Sequence, residues 1–240
     1  GTSDAITDAN GNVYTPLPAD LTPNAINYFF ATIELEGCSP VASEVFTIET
    51  QASPTITTQP LASQEVCIDG IAETLEIAAA TSASSNTITV QWYANTTGIL
   101  PADPVADEII GATANAYTPE TETVGTTYYY AIVQGTTACV TISNIAQVTV
   151  KLALEATITP NTEQTVCEGE EVTLNVAALN GEGTASYQWY EAQNGAVADA
   201  INATFTVPTD TAGTKAYYAI VTYDQGPCTT ITTETVSIVV

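Results

Sequence analysis

The sequence predicts an all-β protein assembled from tandem β-sandwiches, and three observations lead there. A tyrosine-rich apolar strand, a short polar turn, a cysteine and a second strand occur three times, in Asn27–Ser43, Thr126–Ser143 and Lys215–Thr233. A cysteine ahead of an alternating apolar strand and a Gln-Trp-Tyr triplet each occur twice: Cys67 and Cys167, then Gln91-Trp92-Tyr93 and Gln188-Trp189-Tyr190. The copies lie 100 residues apart at Cys67 and Cys167, 97 at Trp92 and Trp189, and 89 at Cys139 and Cys228. A period near 100 residues with frequent short strands is the size of one sandwich. Thr, Val, Ile and Tyr fill the periodic segments and Gly, Pro and Asn punctuate them, so strands are expected throughout and no helix is.

Taken in order, residues 1–50 hold only the back half of a unit, because they have the hairpin but neither the first cysteine nor the Gln-Trp-Tyr. Full units follow at 51–151 and 152–240. The chain opens with Gly1 and contains no Met, which reads as a mature product or a fragment, a window into a longer array. In the middle unit, alternation puts Leu75, Ile77 and Ala79 on one inward face and Ile88, Val90 and Trp92 on the next. In the hairpin, Tyr129, Ala131 and Val133 should be buried, matching Phe29, Ala31 and Ile33, and Tyr217, Ala219 and Val221. Tyr128, Tyr130 and Tyr218 then fall on the outer face. There they either pack across strands or form a contact surface for sugars or a partner. The joints at 49–54 and 151–155 are short and are not Gly/Ser linkers, so an elongated, stiff rod is expected.

Five cysteines are present. Within each unit the expected pairs are Cys67–Cys139 and Cys167–Cys228, with Cys38 unpaired because its partner would lie in the missing half-unit. The alternative is five free, buried thiols. Paired cysteines would indicate an oxidising, extracytoplasmic compartment.

Charge excludes several functions. Twenty-seven acids face two lysines, Lys151 and Lys215, with no His, for a net charge of −25. Phosphate binding needs Lys and Arg, so nucleic acid is excluded as a partner, and anionic membrane surfaces are disfavoured for the same reason. No apolar run is long enough to span a bilayer, so membrane insertion is not expected. The acidity reads as solubility and mutual repulsion, or as cation binding, with Ca²⁺ as the candidate ion. Without His, the Ser/His and Cys/His nucleophile systems and Cys/His zinc sites are excluded. Glu168, Glu170 and Glu171 are the nearest thing to a carboxylate pair, but they sit in a loop beside a cysteine. Asp8–Asn12 has a calcium-loop look with its Gly misplaced, and it aligns with plain turns elsewhere. Asn95 and Asn202 head formal N-glycosylation triplets. Neither lysine sits where an isopeptide crosslink would need it. No catalytic residue, cofactor site or metal site is assigned, and the chain is not expected to be an enzyme.

Of Cys67, Trp92, Tyr93, Gly98, Tyr117, Pro119, Gly125, Tyr128, Tyr129, Tyr130 and Cys139, all but Tyr128 are matched in the third unit, by Cys167, Trp189, Tyr190, Gly195, Phe205, Pro208, Gly213, Tyr217, Tyr218 and Cys228, with Phe205 in place of a Tyr. This pattern resembles the immunoglobulin-like repeats of large Bacteroidota cell-surface proteins, among them SprB-type gliding adhesins. The resemblance implies immunoglobulin-like sandwiches, secretion, display on the cell surface, and a disulfide closing one end of each sandwich. Asp210-Thr211-Ala212 resembles the O-glycosylation motif of that phylum, which makes Thr211 the candidate acceptor. The expected role is the structural or adhesive region of a long surface adhesin or filament, with a carbohydrate-binding module or the stalk of a secreted enzyme as alternatives. Its partners would be neighbouring repeats and surface glycans or other cell-surface proteins.

Overall fold

The computed structural model describes residues 5–6, 9–22, 24–80, 87–135 and 139–240. Strands account for the regular structure, and among the described residues the helical turns are two short 3-10 segments, Pro18–Asp20 and Pro104–Asp107. The first segment contributes β1 (Ile26–Phe29), β2 (Thr32–Ile33), β3 (Val41–Ala42) and β4 (Phe46–Glu49). The middle unit contributes β5 (Thr55–Thr58), β6 (Ser63–Cys67), β7 (Leu75–Glu76), β8 (Ala78–Ala80), β9 (Thr89–Asn95), β10 (Ala116–Tyr117), β11 (Gly125–Gln134), β12 (Val140–Ile142) and β13 (Ala146–Lys151). The last unit contributes β14 (Glu155–Thr159), β15 (Gln164–Thr165), β16 (Val172–Leu179), β17 (Glu182–Glu191), β18 (Gly195–Ala196), β19 (Thr204–Val207), β20 (Thr214–Gln225), β21 (Thr230–Thr232) and β22 (Val236–Val239).

Each full unit is two facing sheets. In the last unit β14-β16-β19 opposes β15-β22-β20-β17-β18, with β21 also on β20. In the middle unit the larger sheet is built on β11, which pairs with β9 on one side and with β12 and β13 on the other; β6 runs parallel to β13. The pairs β5–β8 and β7–β10 supply the second layer. Period-two alternation drives this arrangement. Val172, Leu174 and Val176 are buried along β16 while their neighbours are exposed. Tyr129, Ala131 and Val133 on β11, and Tyr217, Ala219 and Val221 on β20, are buried as alternation requires.

Trp92 and Trp189 are fully buried at the centre of their clusters. Each indole N–H finds a carbonyl, Ala114 O and Asn202 O, both at 2.9 Å. A buried side chain of this kind contributes about 2–3 kcal/mol through area removed from water. The Gln ahead of each Trp has a matching task. Gln91 Nε2 donates to the carbonyls of Trp92 and Ile109, and Gln188 Nε2 to those of Trp189 and Val197. This fastens the segment that follows the tryptophan strand.

The hairpin keeps one register in all three copies. Phe29, Tyr129 and Tyr217 pair with Phe46, Ala146 and Val236. Between the two halves of the return strand, one hydroxyl closes the gap: Ala31 N–H donates to Ser43 Oγ, Ala131 N–H to Ser143 Oγ and Ala219 N–H to Thr233 Oγ1. In the first segment this hairpin has no opposing sheet among the described residues. Ala31 and Ile33 are therefore exposed and Phe29 only half-buried, contrary to the expected burial.

The disulfide expectation needs correcting. Cys67 bonds Cys228, 161 residues away in the next sandwich, with Cα atoms 5.5 Å apart. Cys139 and Cys167 are free, as is Cys38. The reason is topological. Cys67 lies beside Lys151, at the end of the sandwich where β11 begins. Cys139 follows the far end of β11, so ten strand residues, about 30 Å, separate it from Cys67. A disulfide tolerates Cα separations of only about 4.4–6.8 Å. The twelve residues of β20 separate Cys167 from Cys228 in the same way.

Candidate functional site at the joint between sandwiches

The feature with the most chemistry is the joint around Lys151–Glu155. β13 ends at Lys151 and β14 begins at Glu155, leaving three connecting residues. Leu154 is buried, as is Pro54 at the preceding joint. Cys67 sits at the end of β6 and Cys228 in the hairpin between β20 and β21, and their bond spans the joint. A recess of about 390 Å³ beside it is lined by Cys67, Leu154, Pro227, Cys228 and Ile231 among others.

Lys151 adds an ionic link. Its Nζ lies 3.2 Å from Glu65 Oε1 in the middle sandwich and 2.8 Å from Glu182 Oε1 in the last. The Glu182 hydrogen bond first, and then that to Glu65, hold the ammonium above the ordinary lysine range. One of the two cations in the chain thus neutralises acids from two sandwiches that would otherwise repel each other. The expectation that Lys151 is ill-placed for a core isopeptide agrees with this position, but its bridging role was not read from the sequence. The signal available was an isolated cation at a joint in a chain of net charge −25.

The outer tyrosines divide. Tyr130 is not on the surface: it is 1% exposed, stacked on Tyr93 at 5.2 Å, with its hydroxyl 3.2 Å from Asp107 Oδ2. The segment running from Asn95 to Ile109 covers it, so Tyr130 is withdrawn from the candidate contact surface. Burial, with Asp107 reinforcing it, pushes its pKa up to about 12. Tyr128 and Tyr218 are half-buried. Tyr218 stacks on Tyr190 at 5.1 Å, and the Tyr128 ring lies over Gly98. These aromatic faces are largely used within the fold, as cross-strand packing would have it.

Other sequence candidates are dispersed. Thr211 is exposed in the turn between β19 and β20. Glu168, Glu170 and Glu171 are exposed, and Glu170 accepts the Cys167 N–H at 3.2 Å. Asn95 is engaged as a turn clasp, donating to Asp107 and accepting from Thr97 and Gly98. Asn202 is exposed. Of Asp8–Asn12, Asp8 lies outside the described residues, and Gly11 and Asn12 form a bend. Among the described residues, no three His, Cys, Asp or Glu converge in a metal-holding group. No described helix is long and apolar enough to cross a membrane.

Residues 155–240 match the family model described as "Ig-like domain CHU_C associated". No curated protein matches the chain. Solved structures similar to it include the N-terminal four Ig domains of Dscam1 isoform 6.9, at 15% identity over 81% of this chain and 50% of that one, TM-score 0.39. Drosophila OTK extracellular domains 3–5 align at 14% identity over 88% and 70%, TM-score 0.46. The Clostridium thermocellum CbhA fibronectin(III)-like modules align at 15% identity over 78% and 93%, TM-score 0.31. The chain therefore spans about half the length of the first of these. The architecture is all-β and its domains are immunoglobulin-like.

Proposed function

We propose that this chain is a load-bearing stretch of tandem immunoglobulin-like modules in a long, exported surface protein, an adhesin or filament of the gliding-adhesin kind. The units run 51–151 and 152–240, with 1–50 the back half of a preceding one. The observation that supports the reading best is the joint: a three-residue connection reinforced by the Cys67–Cys228 bond and by Lys151 between Glu65 and Glu182. A spacer that must transmit force gains from a joint that neither swivels nor parts. Immunoglobulin-like families are typically non-catalytic, and disulfides persist in oxidising, extracellular settings. The dense negative charge keeps neighbouring copies apart. Partners, such as adjoining repeats, surface glycans or cell-surface proteins, follow from the same reading.

Small-angle scattering tests it. The oxidised chain should give an extended profile with one fixed angle between the last two modules, and Cys67→Ser with Cys228→Ser should broaden the distribution of inter-module distances. A compact profile, unchanged by the substitutions, would refute the reading.

A further inference from the structure

The two sandwiches hold their cysteines in matching places. Cys67 and Cys167 open the same turn: Gly70 N–H donates to Cys67 O, and Glu170 N–H to Cys167 O. A buried threonine closes each turn, Thr121 Oγ1 donating to Gly70 O at 2.6 Å and Thr209 Oγ1 to Glu170 O at 2.7 Å. Cys139 and Cys228 also match, since each lies against the joint by which the chain enters its own sandwich. Cys139 Sγ is 3.8 Å from Gln51 O, and Cys228 Sγ is 3.3 Å from Leu152 O. The registers agree too: Gln64 pairs with Val148 and Gln164 with Ile238. Val240 is therefore the counterpart of Val150, one residue before the joint.

We propose that the Cys67–Cys228 bond is one link of a recurring staple between successive modules. The turn cysteine of one module takes the hairpin cysteine of the next. Cys167 is the half-site for the hairpin cysteine of a module joined after Val240, and Cys139 is the half-site for the turn cysteine of a module placed before Gln51. Cys38 occupies the hairpin position of its own segment, one module earlier. The three free thiols are then the same link lacking its other half. The partner is thus another module of this type, an inference that rests on the tandem-module reading above. In each link two S–H bonds break and one S–S bond forms. Two protons and two electrons pass to an oxidising disulfide, which leaves as two thiols.

The test extends the whole chain. A second copy of residues 151–240 is joined after Val240, with Cys167→Ser and, as a mass tag on its hairpin peptide, Thr229→Ser made in the copy alone; Thr229 is exposed. After oxidation with glutathione disulfide, unreduced peptides from a glutamate-specific protease are mapped by mass spectrometry. The expected map joins Cys67 to Cys228, and Cys167 to Cys228 of the copy. Alkylation should then count two thiols, where a chain without the new link would show four. A second extension probes the other half-site: a copy of residues 51–150 placed between Thr50 and Gln51, with Cys139→Ser and the mass tag Ile71→Val in the copy, at a fully exposed position, should bond its Cys67 to Cys139 of the original. Formation of either new bond supports the proposal, and failure of both overturns it. A Cys67–Cys139 or Cys167–Cys228 peptide from the unextended chain overturns it directly. Peptide mapping reports pairing alone, so it separates this inference from the extended shape that scattering measures.

Discussion

A single oxygen closes the tyrosine hairpin at Ser143, and its removal shows what one residue is worth here. Ser143 is 5% exposed, and its Oγ accepts the Ala131 N–H at 2.8 Å. Ser143→Ala leaves that buried N–H unpaired, at a cost of about 1–3 kcal/mol. Ser143→Thr should be tolerated, because Thr233 fills the same role in the last sandwich. Chemical denaturation of the three proteins checks both outcomes. Tyr129 and Tyr130 offer a titration. Burial is the main cause that raises both pKa values to about 12. Folding therefore disfavours their phenolates: the stability this contributes is whole below about pH 10, the unfolded value, and is lost as pH climbs towards 12. Ultraviolet titration should show these two ionising after the exposed tyrosines, with alkaline unfolding in the same window. At this scale the burial of Trp92, Tyr129, Tyr217 and Leu75 was legible, because alternation is local. The Ser43, Ser143 and Thr233 clamps left a weaker mark, a hydroxyl at one place in each hairpin, whose purpose emerges only when the return strand breaks beside it.

Elements add what residues do not show. The outer row of β11 was read as surface because strand alternation assigns faces. It says nothing of a connecting segment that folds back over a face. The stretch from Asn95 to Ile109 does so, turning at Gly98 with φ +66°. A Cβ there would lie 3.1 Å from the Tyr128 ring. Gly98→Ala should cost about 1–2 kcal/mol for the left-handed backbone alone, more if the ring cannot yield. The expected sign is a lower melting temperature with Tyr128 more exposed, read by tyrosine nitration. The corresponding third-unit Gly195 also has positive φ, but a Cβ there meets nothing within 4 Å. Gly195→Ala should therefore cost the backbone part only.

Across the whole molecule, the cysteines carry the sharpest lesson. Their repeated spacing was plain in the sequence, but their pairing was not. Pairing depends on which ends of consecutive sandwiches meet, and local pattern does not encode that. Since the bond closes a loop of 161 residues, the chain-entropy model assigns it up to about 5 kcal/mol. Reduction should lower the melting temperature by about 2–4 °C for each kcal/mol realised. It should also let the two sandwiches melt separately, which calorimetry with and without reductant would resolve. Lys151 occupies the same joint, and trypsin cuts only after Lys or Arg. With Glu65 and Glu182 gripping that side chain, the peptide bond after it is guarded. Should it be nicked all the same, the sulfur bond would still hold the fragments together. After a cut at Lys151 alone, a gel run without reductant would show one undivided species near 25.0 kDa, and the break would appear only once thiol is added. A strand exposed to hostile proteases would thus survive being severed at this joint.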